Sequence, residues 1–224
     1  MLGWARGTAS GISAPRDCSG PSGVRGLGLL RYGLRSRLGA ASGRLFRVSG
    51  DSKVRCARDP AGAPYAYSLA ALYPNQVGTV YINSGMPEVC LPEILAQYPS
   101  QDAALYDRFR SMSRQEVGKF LYESYLPALS KKVLQSRDFQ DSMGGDLRNI
   151  GQEAKLQGLP WGFELSEVRC PVVLLHGTAD SEVPYGAMKE TVKYLPDARI
   201  ITLAGEEHAS PAIEARLMEE LLRT

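Results

Sequence analysis

Two side chains with chemical capacity lie near the C-terminal end of the chain. Asp180 sits in His176-Gly177-Thr178-Ala179-Asp180-Ser181, and His208 in Gly205-Glu206-Glu207-His208. An imidazole and a carboxylate brought above one sheet edge could move protons at neutral pH. The surrounding pattern indicates what must hold them. Pro171-Val172-Val173-Leu174-Leu175 is a short apolar run with β-branched residues, which predicts a strand buried on both faces of a parallel sheet. A helical pattern follows, with Met188, Val192 and Leu195 on one face, closed by Pro196-Asp197. Arg199-Ile200-Ile201-Thr202-Leu203 is the next strand. Ser210 and Pro211 then supply an N-cap and a first helical residue, and Ile213, Leu217 and Leu221 form one stripe of the last helix. Asp180 and His208 thus each follow a predicted parallel strand, where open α/β sheets place their chemistry. His176, at a strand end, reads as packing or hydrogen-bonding locally.

This segment, PVVLLHGTADSEVPYGAMKETVKYLPDARIITLAGEEHASP, resembles the C-terminal third of an α/β-hydrolase. In that family the chain order is nucleophile, acid, then histidine. The resemblance implies Asp180 as the acid and His208 as the base. The fold it implies is an incomplete, mostly parallel α/β-hydrolase-like sheet with flanking helices and a helical cap insertion. The activity it implies is that of a serine hydrolase on a small ester or related carbonyl substrate. A catalytically inactive relative that serves as a binding module is the alternative.

Family members carry the nucleophile in a G-x-S-x-G elbow, a sharp strand-to-helix turn that needs its glycines. Leu45-Phe46-Arg47-Val48-Ser49 could be the incoming strand, followed by Gly50-Asp51-Ser52. Eight residues, 53–60, then intervene before Ala61-Gly62-Ala63-Pro64-Tyr65. Without them the chain would read G-D-S-A-G-A-P-Y-A-Y, a complete elbow running into its helix. Two registers remain open. Ser52 is the nucleophile, separated from its helix by an insertion; or the helix fixes the register, and Pro60, which has no hydroxyl, stands where the serine should be. Dehalogenases of this family use an aspartate, but Asp51 and Asp59 both read as off the elbow position.

Residues 62–73 read as the helix after the elbow, with small Gly62, Ala63 and Ala66 and with Leu69 and Leu72 facing the sheet. Thr79-Val80-Tyr81-Ile82 is the next buried strand, and Ser84 in its exit turn reads as structural. From about 86 to 159 helical patterns such as Ala103–Phe109 and Arg114–Leu126 replace strands, as in the family's cap. One oxyanion donor of the fold is the residue after the nucleophile. The other comes from a front loop commonly preceded by a His-Gly pair, and no such pair occurs before residue 45.

Residues 1–44 read as a poorly ordered Arg/Gly/Ser-rich segment, and residues 45–224 as the hydrolase-like domain. The first 50 residues hold eight arginines, eleven glycines and a single acid, Asp17, leaving 18 basic and 23 acidic side chains in the remainder. A mildly acidic body argues against a nucleic-acid partner. No apolar run approaches the roughly 20 residues of a membrane span. Four scattered cysteines and two histidines leave no metal-ligand spacing and demand no disulfide framework. The expected partner is a small-molecule substrate, with no cofactor; the oligomeric state is open. A cytoplasmic location is expected, or a mitochondrial one if the Arg- and Ser-rich start acts as a transit peptide.

Overall fold

A computed structural model of the chain describes residues 45–46, 54–58, 60–125, 134–135 and 147–223. Five strands form one sheet in the order β1-β2-β3-β4-β5: β1 (Leu45–Phe46), β2 (Val54–Arg58), β3 (Val77–Asn83), β4 (Val172–Gly177) and β5 (Ala198–Leu203). Strands β2 to β5 are parallel, and β1 pairs antiparallel with β2. Helix α1 (Ala63–Leu72) links β2 to β3, and the one-turn α2 (Pro92–Leu95) follows β3. Helices α3 (Ser100–Ser111), α4 (Arg114–Tyr125) and α5 (Leu147–Gly158) precede β4; α6 (Tyr185–Val192) joins β4 to β5, and α7 (Pro211–Leu222) closes the described chain.

The continuous apolar character of β4 reflects burial on both faces. Side chains alternate between two cores, as the strand period of two requires. Cys56, Val80, Ile82, Val172 and Leu174 pack on one face with Ala66, Tyr67 and Ala70 of α1 and Met188 of α6. Ala57, Tyr81, Val173 and Leu175 pack on the other with Ile213, Leu217 and Leu221 of α7. Leu69 packs against the first core, and the largest fully buried side chain of α1 is Tyr67, whose ring stacks on Trp161 at 5.9 Å. Helix α7 is also tied down by charge: Glu220 receives Arg199 of β5 at 2.7 Å.

The described helices α3 to α5 form a separate compact unit beginning at Ser100, while residues 86–99 group with the sheet. Phe109, Val117 and Leu121 are its core. Ser113 and Glu116 make a reciprocal capping box at the start of α4, at 2.6 and 3.2 Å. Lys155 of α5 donates to the carbonyls of Phe109 and Arg110, both at 3.1 Å, and of Met112, placing a cation on the carbonyl end of α3. Gly151 lets α5 approach α4 closely: a Cβ there would stand 1.8 Å from the Arg114 carbonyl oxygen.

The strand that enters α1 differs from the expected one. The stretch read as an insertion contains β2, which pairs with β3 from Val54↔Val77 to Arg58↔Ile82. Of the stretch read as the elbow strand, the described residues are the two-residue, antiparallel β1. Sheet pairing of Val-Arg-Cys-Ala-Arg has overridden the local Gly-Asp-Ser signal.

Candidate active site

The site is assembled from the ends of β4 and β5. Their close approach is set by Gly177, where a Cβ would lie 2.1 Å from the Glu206 carbonyl oxygen. Backbone hydrogen bonds then lace the two loops together: Thr178 N–H to the Leu203 carbonyl at 3.0 Å and Ala179 N–H to the Glu206 carbonyl at 3.0 Å. The Thr178 hydroxyl accepts from Gly205 N–H at 2.8 Å. Ser210, the N-cap of α7, donates its hydroxyl to Glu206 at 2.6 Å.

Asp180 and His208 meet above this edge. His208 Nδ1 lies 2.8 Å from Asp180 Oδ2. A carboxylate can only accept here, so Nδ1 carries the proton and neutral His208 has its lone pair on Nε2. Asp180 is buried, and its Oδ1 accepts from the backbone N–H groups of Glu182 at 2.9 Å and Val183 at 2.8 Å. This is the Asx-type turn that its position after β4 favours. Burial of the His208 ring opposes its positive charge. The hydrogen bond to Asp180 and the charges of Asp180 and Glu182 outweigh that, so its pKa is raised above 6.5. The Glu182 carboxylate stands 3.7 Å from Nε2 and is half exposed.

Two further residues belong to the site. Ser84 follows β3 with φ of 48°, and its buried hydroxyl accepts from Ala209 N–H at 3.0 Å. Ala209, next to His208, also has positive φ, at 45°. The sequence reading of Ser84 as structural missed this contact, since nothing local to Asn83-Ser84-Gly85 points to a residue so far along the chain. His176 is fully buried, with Nε2 2.8 Å from the Val183 carbonyl oxygen and 3.2 Å from Asp180 Oδ2.

Ser52 lies outside the described residues. It precedes β2, whereas Asp180 and His208 follow the C-terminal ends of β4 and β5. Asp59, read as off the elbow position, also lies outside the described residues. With β2 ending at Arg58 and a 3-10 turn starting at Pro60, it is the one residue between strand and turn in the sequence. No hydroxyl-bearing residue occurs from Val54 to Pro64. Among the described residues, no cluster of three or more His, Cys, Asp or Glu could hold a metal ion, and no helix is long and apolar enough to cross a membrane.

No protein-family model and no curated protein sequence matches the chain. Solved structures do. A single-site mutant of an epoxide hydrolase from Bacillus megaterium matches with a TM-score of 0.50 and 17% identity, over 78% of this chain and 71% of that one. A bromoperoxidase from Bacillus anthracis matches with a TM-score of 0.49 and 18% identity, over 75% of this chain. An α/β hydrolase enzyme from a Medee basin deep-sea metagenome library matches with a TM-score of 0.47 and 15% identity, over 88% of this chain and 71% of that one. The match spans 65% of the bromoperoxidase, less than two thirds of its length. The fold is that of the α/β-hydrolases, incomplete, with a mostly parallel sheet, flanking helices and a helical insertion between β3 and β4.

Proposed function

We propose that this chain, which carries part of the α/β-hydrolase fold, is a hydrolase acting on a small ester or related carbonyl substrate. His208 is the general base, Asp180 holds its tautomer, and Ser52 is the hydroxyl that attacks. The observation behind this reading is the 2.8 Å contact between His208 Nδ1 and Asp180 Oδ2, which leaves the Nε2 lone pair for a proton. A serine hydroxyl is a weak nucleophile at neutral pH and needs such a base. As it attacks the carbonyl carbon, its proton passes to Nε2, and Asp180 stabilises the imidazolium. Collapse of the tetrahedral intermediate returns that proton to the leaving alcohol. Water, deprotonated by the same nitrogen, then releases the acid and restores the serine.

A second reading has its own observation. Strand β2 lies between Ser52 and α1, so the junction carries Asp59 and Pro60 rather than a serine. On this reading the chain is a catalytically inactive relative that binds a ligand. A fluorophosphonate probe on folded protein separates the two. An adduct on Ser52, absent from Ser52→Ala and from His208→Ala, supports the hydrolase. Folded full-length chain that takes no probe supports the inactive reading.

A further inference from the structure

Among the described residues, His176 is a buried polar side chain in the site with an atom left without a partner. It ends β4 at zero exposure, beside Leu174 and Leu175, where an apolar residue would fit the strand's pattern. Its Nε2 faces the Val183 carbonyl at 2.8 Å, and a carbonyl cannot donate. The proton is therefore on Nε2, and Nδ1 is left buried with no hydrogen-bond partner. A buried polar atom without a partner is costly, and its retention calls for a reason. A leucine would carry no such cost.

The reason lies in the turn that this N–H holds, since Val183 also donates its own N–H to Asp180 Oδ1 at 2.8 Å. Asp180 Oδ2 stands 3.2 Å from His176 Nε2, and the same oxygen accepts from His208 Nδ1 at 2.8 Å. We infer that His176 is a positioning residue: its Nε2–H donates to the Val183 carbonyl and so holds the turn whose Glu182 and Val183 N–H groups grip the Asp180 carboxylate that orients His208. With two backbone N–H groups on Oδ1 and His208 on Oδ2, three donors hold the carboxylate, and it cannot rotate without losing one. Burial lowers the His176 pKa, so the ring is neutral at physiological pH and supports Asp180 without cancelling its charge. A lysine or arginine there would neutralise the carboxylate and weaken its hold on the His208 imidazolium.

The inference rests on His208 as the base, and the test separates the two claims. The chain has only two histidines, so an imidazole 15N NMR titration of the full chain shows His176 and His208 alone. The charged or titratable groups facing His208 are Asp180, Glu182 and, through Asp180, His176. In wild type, His208 should hold its proton on Nδ1 in a hydrogen bond and titrate above 6.5. A glutamine amide reaches about as far as Nε2, so His176→Gln should leave that behaviour unchanged. His176→Leu removes the donor, and the hydrogen-bonded Nδ1–H resonance should be lost, with the His208 pKa falling. If the leucine variant does not fold, His176→Asn makes the same comparison, because its amide reaches only the Nδ1 position. A His208 signal unchanged in the leucine or asparagine variant overturns the inference. Wild-type His208 protonated on Nε2 instead would sink the base assignment itself.

Discussion

Glu88 lies in the loop after β3, 8% exposed, accepting a hydrogen bond from the Trp161 backbone with the Glu164 carboxylate nearby. Burial is the main influence and disfavours its charge; the Trp161 bond opposes this, and Glu164 adds to it. The pKa is pushed from 4.5 up to about 7. Between those two values the folded chain keeps a proton that the unfolded chain has released. Stability from this group is therefore complete below 4.5 and is lost as pH rises through 7. The gap of about 2.5 units corresponds to roughly 3 kcal/mol. Glu88→Gln removes the titration and keeps an oxygen for the Trp161 N–H. At pH 8 the variant should be more stable than wild type by about 3 kcal/mol, and at pH 4 the two should match. Urea denaturation at both pH values measures this. With slopes of about 1–3 kcal/mol per molar, the midpoints at pH 8 should differ by roughly 1 M or more. Equal midpoints at pH 8, or one constant difference at both pH values, would refute the argument.

Gly177→Ala should drive the β4 and β5 loops apart, because the new Cβ meets backbone atoms of Glu206 at 2.1 and 2.6 Å that cannot swing away. We expect a loss of about 1–3 kcal/mol and of the His208 Nδ1–H resonance; an unchanged resonance counts against the loop contact. Gly151→Ala pits a helix-propensity gain of about 1 kcal/mol against a 1.8 Å clash with the Arg114 carbonyl oxygen. The clash should win by about 1–2 kcal/mol, read as faster hydrogen exchange in α4 and α5. A more protected variant would mean the helices are farther apart than described.

The second half of the sheet was legible because its signals are redundant. The apolar run at Val172, the Pro196-Asp197 break and the Ser210-Pro211 cap each mark an element independently, and each element formed. The entry to α1 was not legible, because two short segments competed for one sheet position. Leu45–Ser49 carried the family-like Gly-Asp-Ser ending, while Val54–Arg58 carried charged residues that do not look like a buried strand. Long-range pairing with β3 decides such a contest, and no local window contains it. Ser84 was hidden for the same reason: its partner is Ala209, 125 residues away.

The acid–base pair is indifferent to that contest. Among the described residues, the hydrogen-bond and charge partners of Asp180 and His208 are His176, Glu182, Val183 and each other, and the Ser84 hydroxyl holds the neighbouring Ala209. Gly177 fixes the spacing of the two loops, backbone N–H groups fix one carboxylate oxygen, and His208 meets the other. None of this involves β2 or the turn at Pro60. A change of register at the elbow can therefore remove or restore a nucleophile while the base keeps its tautomer. For that reason the state of His208 alone does not decide activity, and labelling at Ser52 does.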